Sequence, residues 1–359
     1  MNSKVCIVIH PITRELVYSF EPGMKKFSAD VAKKILEWMS PFRAANIEGV
    51  KSAATGEEIN GELIMCPLLM EQMVALSQRK VLKRVAAAVD LARERKAAII
   101  GLVAYAALIG ERGSKINANH KVPMTTGTHF TLATVPEAIL KAVNLLDYNP
   151  KKLKVLIYGA NPLVYIVLKS LGYSADKCFI YHAKQDNALG FYNLLPGHTQ
   201  RKTTVLSSDP KANLKDMDIV VNATGRLPAG FEEKNLKSGA IVFDASYPRK
   251  INLSRQDVLL IDGVAVEPPG NPKFNFNFGL PEGLCFPCMA EPMTLAFEKQ
   301  FESYSLGKEF SSDKSDKIYR LALKHGFRIG PLTSHEEIIP PEKIRQVRNS
   351  TRQRNSVWD

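Results

Sequence analysis

Residues 154–169 read Lys-Val-Leu-Ile-Tyr-Gly-Ala-Asn-Pro-Leu-Val-Tyr-Ile-Val-Leu-Lys, and no other stretch restricts the fold as strongly. Four apolar or aromatic residues, good strand formers, run into Gly159. Asn161 can cap a helix, and Pro162 suits the first helical position because its missing N–H would have no partner there. Strand, tight turn and helix in this order open a dinucleotide-binding domain. In such a domain the turn and the helix N-terminus present backbone N–H groups to a pyrophosphate. Gly159, Ala160 and Asn161 are therefore the first candidate cofactor residues. Pro162 and Tyr165 stand where further glycines are expected, which removes one donor and adds bulk.

Around this unit the pattern divides the chain. Before residue 147, long helical periodicities dominate. Residues 28–39 place Val31, Ile35 and Trp38 on one face, and residues 67–97 read as one long helix. The segment Lys4–Ile9 reads as a buried strand, and the apolar run 98–107 as a strand leading into a helix. Residues 147–152 are polar, contain Pro150 and read as a boundary. After them short strands (154–158, 177–182, around 205, 218–222, 240–244, 258–261) alternate with helices, which implies a parallel sheet. The fold class is α/β: an N-terminal α/β substrate domain over 1–148 and a Rossmann-type, doubly wound parallel sheet over 149–310. A C-terminal helix over 311–340 packs back, and a basic, frayed tail follows over 341–359.

The composition is that of a globular chain, with 45% hydrophobic and 23% charged residues among 359. No apolar run approaches the ~20 residues of a membrane span. Val5–Ile9 lacks the cleavage site of a secretory signal. Five cysteines, Cys6, Cys66, Cys178, Cys285 and Cys288, are an odd number in a large chain, so a reducing, cytoplasmic setting is expected. The formal charge of +12 favours an acidic partner. Arg79, Lys80, Lys83 and Arg84 concentrate part of it on the long helix, as a solvated face or a contact for an anionic partner. With no RNA-binding module visible, nucleic acid ranks last. The sequence sets no oligomeric state.

Other positions bear on the cofactor. The strand at 177–182 ends in His182 and Lys184 without an acid, which suits the 2′-phosphate of NADPH better than the bare ribose of NADH. The strand ending at Asn222-Ala223-Thr224 lies where ligands of open α/β sheets bind, and the one ending at 244 leads to Tyr247. Cys285 and Cys288 precede an expected helix. A zinc half-site is disfavoured because no second pair exists, and no metal is expected. A dithiol centre, a single nucleophilic Cys288 with its thiolate stabilised by the helix dipole, and a pair of packing residues remain as readings.

Taken in order, Ala54-Thr55-Gly56, Cys66-Pro-Leu-Leu, Thr125-Thr126-Gly127, the Gly159 turn, Asp244-Ala-Ser-Tyr247-Pro248 and Cys288-Met-Ala-Glu291 resemble the long-chain fatty acyl-(acyl-carrier-protein) reductases of cyanobacteria. Their Rossmann half is similar to that of shikimate dehydrogenase and glutamyl-tRNA reductase. The resemblance covers roughly Lys4 to Phe327. It implies reduction of a fatty acyl thioester to an aldehyde by NADPH through a thioester on Cys288. An acyl carrier protein or CoA thioester would be the partner, with Arg79, Lys80, Lys83 and Arg84 meeting its acidic surface and Thr125, Thr126 and Gly127 lining the acyl channel. The altered turn keeps open a non-catalytic acyl-chain or carrier-binding protein; a glutamyl-tRNA-reductase-like enzyme is a further alternative.

Overall fold

The computed structural model describes residues 4–356 apart from 278 and 336. Along the chain lie β1 (Val5–Ile9), β2 (Phe42–Val50), β3 (Gly61–Met65), β4 (Ile99–Leu102), β5 (Met124–Thr125), β6 (Lys154–Tyr158), β7 (Lys177–Tyr181) and β8 (Thr203–Leu206). They are followed by β9 (Ile219–Asn222), β10 (Ile241–Asp244), β11 (Leu259–Ile261), β12 (Gly263–Glu267), β13 (Gly270–Lys273), β14 (Arg328–Ser334) and β15 (Glu337–Ile338). The chain forms two compact units, residues 1–131 with 265–330 and residues 132–264 with 331–359.

The first unit holds a six-stranded sheet in the order β13-β2-β3-β1-β4-β5. Strands β3, β1, β4 and β5 are parallel, and β2 runs antiparallel to both β3 and β13. Every residue of β1, β3 and β4 is buried, as a parallel sheet covered on both faces requires. Alternation within the strands assigns the two faces. Cys6, Val8, Ile64, Ile100 and Leu102 pack with Val81, Val85, Ala88, Val89 and Ala92 of the helix Gln78–Glu94. Val5, Ile7, Leu63, Met65 and Ile99 pack with Met289, Ala290, Met293 and Ala296 of the helix Pro287–Phe297.

This second cover is why the expected boundary fails. A contiguous domain over 149–310 would strip one face of the first sheet, so the chain returns after 264 to supply the missing helix. The expected single helix over 67–97 also breaks, into Met70–Ala75 and Gln78–Glu94, with Leu76 extended between them (φ −73°, ψ 157°).

The second unit holds a six-stranded, all-parallel sheet in the order β11-β10-β9-β6-β7-β8. Numbered within the unit this is 3-2-1-4-5-6, the order of the doubly wound Rossmann fold. The order reverses between β6 and β9, and this is where such sheets bind ligands. Leu156, Tyr158, Val220, Val242 and Leu260 form the core of one face with Leu214, Met217 and Ile251.

The expected frayed tail is a helix, Pro341–Ser356; its last three residues, 357–359, lie outside the described ones. Val347 is fully buried, and the Lys343 ammonium donates to the carbonyls of Arg255 and Gln256 at 3.2 and 3.0 Å. A few apolar residues at helical spacing suffice to dock an otherwise basic segment. Among the described residues no helix is long and apolar enough to cross a membrane.

Candidate functional sites

In the second unit the turn after β6 is built by backbone. Gly159 has φ +137°, and a methyl group placed on it would lie 3.1 Å from both the Cβ and the carbonyl oxygen of Ala223. Glycine is thus required by conformation and by the approach of the β9 loop. Asn161 ties the two loops together. Its Oδ1 accepts the Leu163 amide at 3.0 Å, and its Nδ2 donates to the Ala223 carbonyl at 2.5 Å. Pro162 occupies the first helical position, as expected.

Among the described residues the amides of Ala160 and Asn161 take part in no protein hydrogen bond, so two donors remain for an anion at the helix start. Tyr165 is half-exposed and stays off the packed face, where Leu163, Val164, Ile166 and Val167 are buried. The bulk at that position therefore leaves the turn intact.

The other expected cofactor residues divide by role. His182 and Lys184 sit at the carboxyl end of β7, beside β6; the Lys184 amide donates to His182 Nδ1 at 3.1 Å, and the lysine is exposed. Asn222 is buried and its side chain is fully used. Nδ2 donates to the Arg226 carbonyl and to Asp244, and Oδ1 accepts from the Thr224 amide and hydroxyl. Asn222 and Thr224 shape the loop, leaving its backbone at Ala223 to face the Gly159 turn. Asp244 is likewise a pin, accepting the amides of Ser246, Lys250 and Ile251 at 3.1, 2.7 and 2.8 Å. Tyr247 in that loop is 42% exposed.

In the first unit Cys288 is the second residue of the helix Pro287–Phe297 and is the one half-buried cysteine; the other four are buried. Gly127, with φ +69°, is pressed against it: a methyl there would fall 2.4 Å from the Cys288 Cα. The Ala104 amide and those of Cys288 and Met289 point at the sulfur and favour its thiolate. Ala104 holds a left-handed φ of +52° to do so, and the adjoining Tyr105 amide donates to His10 Nε2 at 3.0 Å. Burial outweighs these donors. It pushes the Cys288 thiol up to about 11, and the charge of Glu291 acts in the same direction. The expectation of a thiolate stabilised by the helix dipole is corrected here: a helix N-terminus contributes only modestly, and desolvation of the sulfur is the larger effect. Cys285 is fully buried and pushed well above the usual thiol range, chiefly by burial, and its backbone pairs with Val266. It is a packing residue.

Thr125 and Gly127 meet this helix through Glu291, one turn beyond Cys288. The Thr125 hydroxyl donates to Glu291 Oε1, the Phe130 amide donates to Oε2 at 2.8 Å, and the Gly127 amide donates to the Thr125 hydroxyl oxygen at 3.3 Å and favours the carboxylate charge. Thr126 instead donates to the Ser305 carbonyl. The expected basic contact residues lie elsewhere. Arg79, Lys80 and Lys83 are exposed on the helix Gln78–Glu94, which covers the opposite face of the sheet from the Cys288 helix. Arg84 turns inward to the Met39 carbonyl. Sequence reasoning missed Glu291, His129, Ser305 and His10 as partners of this site.

A Ser52–His325–Glu298 array in the same unit has hydrogen bonds of 2.7 and 2.6 Å. Ser52 is 2% exposed and its oxygen also accepts the Ala54 and Thr55 amides, so the array anchors the loop after β2. No group of three or more metal-ligating side chains occurs among the described residues.

Fold and turn together define an α/β protein with a Rossmann-type unit. No known family profile matches the chain. Among characterised proteins it is similar to the aminotransferase PigE of Serratia sp. (strain ATCC 39006), 29% identical over 306 residues. That match covers 82% of this chain and 35% of the relative, so the chain spans about a third of the relative's length. Among solved structures, shikimate 5-dehydrogenase from Listeria monocytogenes in complex with shikimate and NAD aligns over 96% of this chain and 95% of its own, at 12% identity and a TM-score of 0.34. Quinate dehydrogenase from Corynebacterium glutamicum in complex with NAD aligns over 68% and 80%, at 12% identity and a TM-score of 0.33. At these TM-scores neither likeness carries an argument about function.

The comparisons overturn the resemblance to the acyl-(acyl-carrier-protein) reductases. The matched relative is an aminotransferase, not a reductase of acyl thioesters. Fatty acyl thioester reduction, with its carrier-protein alternatives, falls with it. The motifs that carried the resemblance have local structural reasons. Asp244 pins its loop, Gly127 makes room for the Cys288 backbone, and Gly56 takes a turn at φ +73°.

Proposed function

We propose that the chain is an oxidoreductase whose second unit binds a nicotinamide dinucleotide at the Gly159 turn, with NADP preferred over NAD. The observation that carries this reading is the turn itself. A glycine whose methyl would strike Ala223 sits at the switch point of a 3-2-1-4-5-6 sheet, next to the open amides of Ala160 and Asn161. The residues fit the pyrophosphate through those two amides, and His182 and Lys184 at the end of β7 supply positive or donor groups for a 2′-phosphate. When bound, the dinucleotide supplies or accepts hydride. In this reading Cys288 of the first unit adds to an electrophilic carbon of a carbonyl substrate, while the Ala104 amide orients its sulfur. The aminotransferase activity of the relative is not carried over, because two thirds of that protein lie outside the match.

The test is a fluorescence titration of the folded chain with NADPH and NADH. NADPH binds at least about tenfold more tightly, and Lys184→Glu removes that preference, in keeping with the loss of a charge-assisted contact. Equal binding would overturn the NADP preference, and no binding would overturn the reading.

A further inference from the structure

Resting on the reading of Cys288 as a nucleophile, we propose that Glu291 is the acceptor of its thiol proton and that Ser305 and His129 are positioning residues that hold Glu291 ready for it. Glu291 is fully buried, and residues three apart on a helix are neighbours, so its carboxyl shares one face with the thiol. The carboxylate accepts the Thr125 hydroxyl at Oε1 and the Phe130 amide at Oε2, and the Ser305 hydroxyl and Gly127 amide favour its charge as well. These donors favour the ionised carboxylate, but burial outweighs them and raises Glu291 above the usual carboxylate range, which makes it the better proton acceptor.

The direction of the chain behind it follows from donor chemistry. The Ser311 amide donates to His129 Nε2 at 3.3 Å, so that nitrogen is the acceptor and Nδ1 carries the hydrogen. Nδ1 then donates to Ser305 Oγ at 2.6 Å, which leaves the Ser305 hydrogen for Glu291. Burial lowers His129 to about 4, with Lys314 acting in the same sense, which keeps the ring neutral and this order fixed. Ser305 itself is held at φ +30°, a backbone conformation that costs energy and that the network around it sustains. Other titratable neighbours are Tyr304, which feels the charge of Glu291, Cys285, which faces Cys288, and His10, lowered by burial and bonded to the Tyr105 amide beside Ala104.

The step balances without a further reactant. The S–H bond breaks and its proton forms an O–H bond on Glu291; the sulfur electron pair forms the new S–C bond while the π bond of the substrate carbonyl breaks and its pair moves onto the oxygen. Burial opposes the charged form of both groups, but moving the proton from one to the other leaves a single negative charge in the cluster throughout. This explains how a thiol raised by burial can react near neutral pH.

The experiment is alkylation of the full chain by iodoacetamide, from about pH 5 to 10, with modification of Cys288 followed by mass spectrometry of its peptide. The intact protein is alkylated at Cys288 near neutral pH. Glu291→Gln slows that reaction about tenfold or more at pH 7 and shifts its onset to alkaline pH, the size expected for loss of a general base. Ser305→Ala, which keeps the carboxyl, gives a smaller slowing in the same direction and serves alone if Glu291→Gln does not fold. An unchanged pH profile in a folded variant, or a wild-type Cys288 inert at neutral pH, would overturn the proposal. NADPH titration of the same variants separates the two readings. Loss of the alkylation effect with dinucleotide binding intact removes only the proton acceptor, and the reverse removes only the dinucleotide.

Discussion

The Gly159 turn and the Cys288 cluster are built in opposite ways. The turn is made of backbone: a glycine, a capping asparagine and two open amides, all within a few residues and stitched to one neighbouring loop. The thiol cluster joins side chains at residues 10, 125, 129, 288, 291 and 305 to backbone amides of 104–105, 127 and 130, and it holds two left-handed non-glycine residues, Ala104 and Ser305. A turn built of backbone keeps its geometry through sequence change, with Pro162 at the first helical position and Tyr165 off the packed face. A site of buried, interlocked side chains does not, and substitutions in the two should differ accordingly.

The largest effect is expected at Gly127. Gly127→Ala places a methyl 2.4 Å from the Cys288 Cα at a positive φ, where neither backbone can retreat, and should cost about 4 kcal/mol or prevent folding of the first unit. Urea denaturation measures it; a loss under about 1 kcal/mol would mean that the packing at Cys288 is loose.

Acid should separate the units next. Among the described residues the buried histidines, His10, His129 and His325, are all in the first unit. Burial lowers His10 and His129 from 6.5 to about 4. Between those values the unfolded chain takes up protons that the folded chain refuses, so stability falls as pH drops from 6.5 toward 4. Each ring removes about 2 kcal/mol by pH 5, and Glu291, raised by burial, offsets part of it by binding a proton in the folded state. Hydrogen exchange should show the first unit opening before the second on acidification. Simultaneous opening would argue against this difference.

The smallest of the three concerns the C-terminal helix. Val347→Ala should destabilise the second unit by about 2 kcal/mol, since the side chain is fully buried, whereas a frayed tail would register nothing.

The same contrast explains what the sequence disclosed. The second unit was legible because its information is local: Lys154–Lys169 spells strand, turn and helix, and the parallel strands of that sheet other than β8, whose Thr-Thr-Val-Leu gave only a short strand around residue 205, announced themselves as apolar runs. The expected roles of Gly159 and Asn161 in the turn match the geometry, whereas Asn222 looked like a ligand residue and proves to be saturated by its own loop. The first unit was less legible because its sheet is completed from afar. No local signal says that Pro287–Phe297 covers β1 and β4, or that β13 extends β2, so the domain boundary was misplaced. Glu291 stood in view three residues after Cys288, but its partners Thr125, Phe130 and Ser305 are joined to it only by folding. The tail misled because Ile344 and Val347, one helical turn apart, are too few to outweigh its charge in a composition count.

The most direct test of the proposed dinucleotide site at the Gly159 turn is hydrogen–deuterium exchange of the full chain with and without saturating NADPH. Protection is expected at the amides of 159–161, 163–164 and 223–225 in the second unit, centred on Ala160 and Asn161. Exchange unaltered at that turn, or protection confined to other segments, would contradict the assignment of the Gly159 turn as the dinucleotide site.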